Sequence, residues 1–381
     1  MSAESGMRVP FLDLVAQQAE IAHEVLPRWQ ELFEACEFVG GAPVDEFERD
    51  FAAFTGVDHC VGVANGTDAI ELALRAIGVE RGVEVIIPVN TFIATAEAVT
   101  RIGAVPVFVD VDPVHLLIDP DHVAAAITSR TRAIVPVHLF GQVAPVDRLA
   151  ELCATRDIVI VEDNAQAQGA SSAAGQTGSL GRIAATSFYP GKNLGAAGDA
   201  GAVVTDDADL ARIVRTLGAH GSAVKYVHER VGVNSRLDAV QAVVLTAKLR
   251  RLERWNGRRR DAADYYGTLF SSVDGVIAPK PVQNTVPVWH LYVVRVRDRD
   301  RLLAELIDHG VGAAIHYPTP LHLTEAYRGH GHRRGEFPVA ESAAATILSL
   351  PMFPHITRSQ QEYVVEQVAA SVERASASQT D

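Results

Sequence analysis

The chain has 381 residues, 48% of them hydrophobic, and this length predicts two lobes with ample apolar surface to bury. The formal net charge of −13 argues against a nucleic-acid partner, because phosphate binding needs a basic surface. The sequence has neither an apolar run of membrane-spanning length nor a signal-peptide pattern, so we predict a cytoplasmic protein with no membrane partner.

Between residues 60 and 250, short runs rich in β-branched residues alternate with stretches of helical periodicity. The helical stretches cover residues 66–78, 91–103 and 145–157. Alternation at this spacing predicts an α/β fold with a mostly parallel sheet covered by helices. The seven predicted strands are residues 60–66, 84–90, 105–111, 132–141, 158–163, 184–190 and 201–206.

After about residue 235 the sequence pattern becomes that of a smaller α+β lobe. We therefore predict a large domain at residues 1–245, which includes the N-terminal segment, and a small C-terminal domain at residues 246–381. The elements predicted after about residue 235 begin with a long amphipathic helix, which crosses this boundary. They continue with a strand at 287–298, a helix at 299–313, a strand and loop at 314–323, and a terminal helix from about residue 358.

Polar residues follow several of the predicted strands at the point where each strand ends. Such positions are occupied by residues 65–67, Asn90, Asp163 and residues 187–192. The carboxyl ends of parallel strands lie at one edge of the sheet, and ligand sites in such folds occur at that edge. We therefore expect these residues to form one site.

The first of these segments, Asn65-Gly66-Thr67, comes between a strand and a helix. The free N–H groups at the start of that helix, with the Thr67 hydroxyl and the helix dipole, form a site suited to one phosphate. The alternative is that Thr67 or Asn65 only caps the helix.

Two carboxylates occur at the end of a later strand. Asp163 is expected to point into the site, and Glu162 is expected to face the opposite way across the strand. A carboxylate that leaves an apolar strand needs a cationic or N–H partner. The alternative is that Asp163 caps the turn that follows.

Lysine is rare in this chain, which has four, and one of them, Lys192, lies near a strand exit between Gly191 and Gly195. Lysine, unlike arginine, can lose its proton and act as an amine nucleophile. A phosphate anchor, a carboxylate and this lysine occur in the order and rough separation needed to hold pyridoxal 5′-phosphate (PLP). The alternative is a lysine in a surface loop.

Each residue would have a defined task in a PLP site. Lys192 would form a Schiff base with the cofactor aldehyde, and Asp163 would keep the pyridine nitrogen protonated, so that the ring becomes an electron sink. Phe92, at another strand exit, would lie on the ring face, although a buried core phenylalanine is the ordinary alternative. The phosphate would be held by Gly66, Thr67 and Ser187.

Several longer motifs closely resemble the sugar aminotransferases of the DegT/DnrJ/EryC1/StrS family. The most specific are VEDNAQAQGA, SFYPGKNLGAAGDAGAVVT and NSRLDAVQA, and VPFLDL, GVANGTDAIELAL, PVHLFGQ, WHLYVVR and HYPTPLHL are similar in the same order. The resemblance covers about residues 8–370. Asn164 and Gln168 depart from the family pattern, which often has Ala and His there, but neither departure falls on a predicted cofactor contact.

The resemblance implies an aspartate-aminotransferase-like fold of type I and a homodimer with shared active sites at the subunit interface. It implies the same roles for Lys192 and Asp163, and it adds that Gln166 would bond the phenolic oxygen of the cofactor and that Phe92 would stack on its ring. Asn234 would reach the phosphate of the cofactor in the neighbouring subunit. The phosphate contacts within the subunit would again be Gly66, Thr67 and Ser187.

Family members aminate a keto group of a nucleotide-linked hexose, usually with L-glutamate as the donor. FYPGKNLG resembles the subgroup that aminates C3, which implies transamination of a dTDP-linked 3-keto-6-deoxyhexose in deoxyaminosugar biosynthesis. The alternatives are a C4 aminotransferase acting on a dTDP-linked 4-keto-6-deoxyhexose and a non-catalytic regulator that binds PLP or a sugar nucleotide. Lys192 argues against a sugar dehydratase, because that branch of the family has histidine in place of the lysine.

Six further residues lie in stretches that resemble sugar-nucleotide contacts. Among them, Lys225 would meet a diphosphate bound by the neighbouring subunit, with an exposed loop lysine as the alternative. A hydrogen-bonded structural pair is the alternative for His316 and Tyr317. The six residues are Tyr189, Lys225, Tyr226, His316, Tyr317 and His322.

No metal site is predicted. His330 and His332 lie in a Gly- and Arg-rich loop without cysteines or clustered carboxylates, which is typical of a solvated loop. The three cysteines, Cys36, Cys60 and Cys153, are far apart and suit neither a disulfide framework nor a zinc site.

Overall fold

The computed structural model describes residues 7–377. Within that range the chain forms eleven α-helices, fifteen strands and three short 3-10 helices. The α-helices are α1 (Leu14–Ala35), α2 (Ala42–Thr55), α3 (Gly66–Ala76), α4 (Ile93–Arg101), α5 (Pro120–Ala126), α6 (Val146–Cys153), α7 (Ala208–Gly218), α8 (Ala239–Phe270), α9 (Arg299–Asp308), α10 (Pro338–Thr346) and α11 (Arg358–Ala377).

The strands are divided between one large sheet and several small ones. In chain order they are β1 (His59–Val63), β2 (Glu84–Pro88), β3 (Val105–Val109), β4 (Thr131–Ile134), β5 (Val159–Asp163), β6 (Ser171–Ser172), β7 (Gly175–Gln176), β8 (Ile183–Ser187), β9 (Gly201–Thr205), β10 (Ser222–Val224), β11 (Val227–His228), β12 (Val276–Ile277), β13 (Thr285–Val286), β14 (Tyr292–Val296) and β15 (Ile347–Leu350).

Seven strands form the central sheet in the order β1-β9-β8-β5-β4-β2-β3. All of them run parallel except β9, which is antiparallel to both of its neighbours. The predicted mostly parallel sheet is therefore confirmed, but the reversal of β9 was not predicted. Its cause is local, because parallel neighbours need a long crossover that is usually helical, whereas residues 188–200 between β8 and β9 contain no helix.

The C-terminal part of the chain builds a second, smaller layer. Strands β12, β14 and β15 form an antiparallel sheet, and its apolar face packs with Tyr266 and Phe270 of α8 and with Val364 of α11. Helix α8 is continuous across the domain boundary predicted at residues 245 and 246, so the two lobes share this helix.

The prediction of a strand within residues 314–323 was wrong. Only an isolated bridge joins Ala314 to Ser349, and the segment continues as a loop into the 3-10 helix Leu321–Leu323. Pro318 and Pro320 explain the difference, because proline has no N–H to donate to a sheet ladder.

The N-terminal helix α1, whose place the sequence left open, packs along α8. Ile21, Val25 and Leu32 are buried against α8, and the Trp29 indole donates a hydrogen bond to the Val240 carbonyl at 2.8 Å. In the described part of the chain, no helix is both long and apolar enough to span a bilayer.

Candidate active site

A cavity of about 850 Å³ opens at the carboxyl ends of the parallel strands. A second cavity of about 830 Å³, in the small lobe, is lined by none of the predicted site residues. The first cavity therefore marks the candidate site. Ten of the predicted residues line it, namely Gly66, Thr67, Phe92, Asp163, Gln166, Ser187, Tyr189, Lys192, His316 and Tyr317.

One end of the cavity is formed by the N-terminus of α3. Asn65 caps this helix, since its Oδ1 accepts a hydrogen bond from the Asp68 N–H at 2.8 Å. Because the cap uses the Asp68 N–H, the N–H groups of Gly66 and Thr67 and the Thr67 hydroxyl have no acceptor among residues 7–377. The capping alternative and the anion site are therefore compatible, with Asn65 as the cap and Thr67 free to bind.

The backbone at this end approaches β8 very closely. A Cβ atom on Gly66 would lie 2.5 Å from the Ser187 Cβ, a separation that packed atoms do not reach. The absence of a side chain at residue 66 thus brings the Ser187 hydroxyl next to the helix N-terminus. Backbone N–H groups and two hydroxyls at one helix start suit the charge and size of a phosphate.

The other end of the cavity contains a buried carboxylate. Asp163 is 5% exposed, and it accepts hydrogen bonds from the Thr95 hydroxyl at 2.8 Å and from the Ala165 N–H at 3.1 Å. Burial raises the pKa of Asp163, while these two hydrogen bonds and the charge of Lys192 oppose that rise. A carboxylate in this position can hold a proton on a ring nitrogen.

The neighbouring Glu162 faces away from the cavity, as predicted. Its oxygens accept hydrogen bonds from three backbone N–H groups, those of Gly178, Leu180 and Gly181, at 2.7–2.8 Å. The Nδ1 of His138 accepts a hydrogen bond from the Ala144 N–H, so the ring hydrogen is on Nε2. Nε2 donates it to the Glu162 carboxylate at 2.8 Å. Glu162 therefore fixes the turn that leads into β8.

Lys192 lies in the loop between β8 and β9, inside the cavity. The loop turns tightly, because the Lys192 N–H donates to the Tyr189 carbonyl at 2.8 Å and a Cβ on Gly195 would lie 2.3 Å from the Pro190 carbonyl oxygen. Burial lowers the pKa of Lys192 to about 8, and the charge of Asp163 opposes that shift. An amine in this state is partly unprotonated near neutral pH and can act as a nucleophile.

Gln166 and Tyr317 form the side wall of the cavity. The Gln166 Oε1 accepts a hydrogen bond from the Phe140 N–H at 2.7 Å, which fixes the orientation of the amide. Its Nε2 donates to the Tyr317 hydroxyl at 3.1 Å and keeps a second hydrogen for a ligand oxygen. The Phe92 ring, 52% exposed, lies 5.5 Å from the Tyr317 ring, so the ordinary alternative of a buried core phenylalanine does not apply.

Sequence reasoning missed several residues of the cavity. Thr95 holds Asp163, and Phe11 stacks on His316 with ring centroids 5.7 Å apart. His290 and Asp199 also line the cavity. Phe11 and His290 come from segments distant from the strand exits. The only sequence signal for His290 was its place in the WHLYVVR motif.

Four predicted substrate or cofactor residues do not line this cavity. His322 is buried outside the cavity lining, where its Nε2 lies 2.9 Å from the Glu341 carboxylate and its ring packs on Phe337. Lys225 and Tyr226 lie at the turn of the exposed β10–β11 hairpin, and the Tyr226 side chain is 81% exposed. Asn234 is exposed on the strand-like segment that pairs with Ala219.

The residues present fit PLP at both ends of the cavity. The open N–H groups and hydroxyls at the start of α3 match the phosphate, and the buried carboxylate of Asp163 matches a protonated ring nitrogen. Lys192 provides the amine between them. No group of three or more His, Cys, Asp or Glu side chains within residues 7–377 is arranged to hold a metal ion.

Comparison with known proteins agrees with this geometry. The sequence model of the DegT/DnrJ/EryC1/StrS aminotransferase family matches residues 19–369. The chain is 46% identical over 364 residues to "erythromycin biosynthesis sensory transduction protein EryC1" of Saccharopolyspora erythraea, a match that covers 96% of this chain and 100% of the relative. It is 45% identical to a dTDP-3-amino-3,4,6-trideoxy-alpha-D-glucose transaminase of Streptomyces venezuelae, with 96% and 97% of the two chains covered.

The fold comparison gives the same result. The crystal structure of S. venezuelae DesV in complex with a ketimine intermediate superposes with a TM-score of 0.94 at 45% identity, and the match covers 96% of this chain and 99% of DesV. The prediction of an aminotransferase fold of type I is thereby confirmed. The chain belongs to the DegT/DnrJ/EryC1/StrS aminotransferase family and is a PLP-dependent nucleotide-sugar aminotransferase.

Proposed function

We propose that the protein transfers the amino group of L-glutamate to the C3 keto group of a dTDP-linked 3-keto-6-deoxyhexose, in the biosynthesis of a deoxyaminosugar. The observation that carries this proposal is the match over nearly the whole chain to relatives named as dTDP-3-amino-sugar transaminases, at 45%, 43% and 41% identity. The cavity supports it, because Lys192 and Asp163 line the same cavity as the anion site at the N-terminus of α3.

PLP, when bound, would supply an electron sink for the carbanion formed at the donor Cα. The N-terminus of α3 and Ser187 would hold the phosphate, and Asp163 would keep a proton on the ring nitrogen. Lys192 would hold the cofactor covalently through Nζ and would carry a proton at the same atom during the transfer. Gln166 would donate its remaining N–H to the phenolic oxygen, and Phe92 would lie against the ring.

The charged residues that line the cavity support the proposal that a second subunit contributes to the site. The described lining residues include four carboxylates, and the only cations among them are Lys192 and Arg101. Arg101 is already paired with Asp68 and Glu71. A sugar nucleotide carries a diphosphate, and among the described residues that line the cavity it would find no unpaired cation beyond Lys192. The four carboxylates are Asp68, Glu97, Asp163 and Asp199.

We infer that a second copy of the chain completes the site in a homodimer. Lys225, at the tip of the exposed β10–β11 hairpin, would meet the diphosphate in the neighbouring subunit, and Asn234 would meet the cofactor phosphate there. Exposed apolar residues near α1, including Phe33 at 73% and Phe38 at 41%, offer a surface for such an interface.

The proposed reaction is tested with separate 3-keto and 4-keto dTDP-6-deoxyhexoses. We expect amination of the 3-keto sugar, with L-glutamate as donor, and a new amine that NMR locates at C3. Amination of only the 4-keto sugar, at C4, would establish the alternative regiochemistry. Binding of PLP and the sugar without turnover of either substrate would favour a regulator, a reading consistent with the sensory transduction name of the EryC1 relative.

The shared site is tested by mixing two inactive variants. A Lys192→Ala chain and a Lys225→Ala/Asn234→Ala chain are each expected to be nearly inactive. Random mixing makes half of the dimers hybrids with one intact site, so about a quarter of the wild-type activity should return. If Lys225 and Asn234 act on the site of their own chain, mixing restores nothing. Each variant mixed with itself is the control.

A further inference from the structure

Two buried threonines at the start of α4 are connected to Asp163. The Thr95 hydroxyl donates a hydrogen bond to the Asp163 Oδ2 at 2.8 Å, and the Thr91 and Thr95 hydroxyl oxygens are 3.1 Å apart. Thr91 is 3% exposed and Thr95 is 0% exposed. Within residues 7–377, Thr95 is the only residue whose side chain is hydrogen-bonded to the Asp163 carboxylate. We call the chain from Thr91 through Thr95 to Asp163 the hydroxyl relay.

The charge of Asp163 sets the direction of both hydrogen bonds in the relay. An ionised carboxylate can only accept, so the single hydroxyl hydrogen of Thr95 is used on Asp163. The hydrogen between the two threonines must then come from Thr91, which donates to the Thr95 oxygen. Both hydroxyl dipoles therefore point toward the carboxylate, and hydrogen bonds in such a chain strengthen one another.

Thr100, in the same helix, shows the ordinary use of a threonine hydroxyl. Threonine within a helix can bond the carbonyl four residues earlier, and Thr100 does so with Ala96 at 2.9 Å. The Thr95 hydroxyl instead bonds Asp163, at the end of β5. Thr95 also lies in the first turn of α4, where the positive end of the helix dipole favours a nearby negative charge.

We propose that Thr91 and Thr95 are positioning residues that act through Asp163, because they hold its carboxylate ionised and in place for the ring nitrogen of the cofactor. Thr95 acts on the carboxylate directly, and Thr91 acts through Thr95. Burial raises the pKa of Asp163, and the hydrogen bond from Thr95 opposes that rise. This role rests on the proposed assignment of Asp163 as the partner of the ring nitrogen.

The relay matters most when the cofactor is bound. In the cofactor-free protein, water in the cavity can solvate Asp163, or a proton can neutralise it. PLP with a protonated ring nitrogen displaces that water and requires a carboxylate that stays ionised. Lys192 and His138 then act on Asp163 through their charge, without a hydrogen bond from either side chain. Loss of the Thr95 hydroxyl therefore costs more in the protein with cofactor than in the protein without it.

The test compares PLP with its 1-deaza analogue, in which a C–H group replaces the ring nitrogen. Both ligands have the same aldehyde and phosphate, so the ratio of their dissociation constants isolates the interaction between the ring nitrogen and Asp163. The variants are Thr95→Val, Thr95→Ser and Thr91→Val, in the full-length protein freed of cofactor. Thr100→Val is the matched control, because it removes a hydroxyl that belongs to the same helix and does not contact Asp163.

Thr95→Val should bind PLP about tenfold more weakly and the deaza analogue within about twofold of the wild type, because the lost hydrogen bond is to a charged group. Thr95→Ser keeps the hydroxyl and should stay within about twofold for both ligands. Thr91→Val should weaken PLP binding about threefold, since it removes the second bond of the chain. Thr100→Val should leave both dissociation constants unchanged.

Equal weakening of the two ligands in Thr95→Val would show a merely structural role and would overturn the proposal. Unchanged PLP binding in Thr95→Val, a loss in Thr95→Ser as large as in Thr95→Val, or unchanged PLP binding in Thr91→Val would also overturn it. Should Thr95→Val not fold, Thr95→Ala undergoes the same measurement with the same criteria.

Asp163→Asn tests the assignment on which the relay rests. The amide cannot balance the charge of a protonated ring nitrogen, so this variant should lose most of the preference for PLP over the deaza analogue. If it kept the full preference, the relay would be rejected together with the role of Asp163. The measurement needs neither sugar nor amino donor. A protein that fails to aminate the proposed sugar can therefore still show the predicted preference, and the two proposals fail separately.

Discussion

The Lys192→Ala variant is expected to lose turnover by roughly 10⁴-fold or more, together with the visible absorption band of the lysine-linked cofactor. The reason is that no other described side chain that lines the cavity is an amine able to bond the cofactor and carry a proton. Absorbance spectroscopy of the PLP-loaded protein and steady-state kinetics measure the two effects. The variant should fold nearly as the wild type does, because the Lys192 side chain is only partly buried.

Lys248 is the matched control for this substitution. It is 1% exposed in α8, and burial lowers its pKa to about 8, as it does for Lys192. It does not line the cavity, and no charged partner contributes to its shift. We therefore expect Lys248→Met to keep both the absorption band and the turnover. If Lys248→Met lost the band while Lys192→Ala kept it, the assignment of the cofactor lysine would be wrong.

The comparison of these two lysines shows what sequence could predict about the site. Burial lowers the pKa of both to about 8, so a lowered pKa does not distinguish them. The position of Lys192 near a strand exit does, because residues at the carboxyl ends of neighbouring strands meet at one edge of the sheet. The same argument predicted that Asp163, Ser187 and Thr67 would lie together, and the structure brings them to one cavity.

The residues that sequence could not predict act through contacts between distant segments. His290 reaches the cavity because α8 and the segment before β14 pack beneath the Lys192 loop through Asn193 and Asn256. No local pattern encodes that packing. The reversal of β9 could have been predicted more easily. Residues 188–200 are rich in Gly and Ala, which already indicates that no helix connects β8 to β9. For His322, a shared motif predicted a substrate contact, whereas the fold pairs it with Glu341 and leaves it outside the described cavity lining.

A second large effect is expected for Asp163→Asn, which should lower kcat by about 10²- to 10³-fold. The amide cannot balance the charge of a protonated ring nitrogen, so the cofactor would lose most of its capacity to take up electrons. Stability should change little, because the Thr95 hydroxyl can reverse its hydrogen bond, accept from the new amide and donate to Thr91 instead. Kinetics and thermal unfolding of the same preparation give both quantities.

Glu162, the carboxylate adjacent to Asp163, gives the matched control, for which we expect a loss of stability and little change in kcat. In Glu162→Gln, one oxygen that accepts buried N–H groups becomes an amide that must itself donate. Unsatisfied buried donors cost about 1–3 kcal/mol each, so the melting temperature should fall by several degrees while kcat stays within about threefold. Two neighbouring residues on one strand would thus divide their roles, with Asp163 controlling the rate and Glu162 the stability. A loss of stability in Asp163→Asn with kcat retained would instead make Asp163 a structural residue.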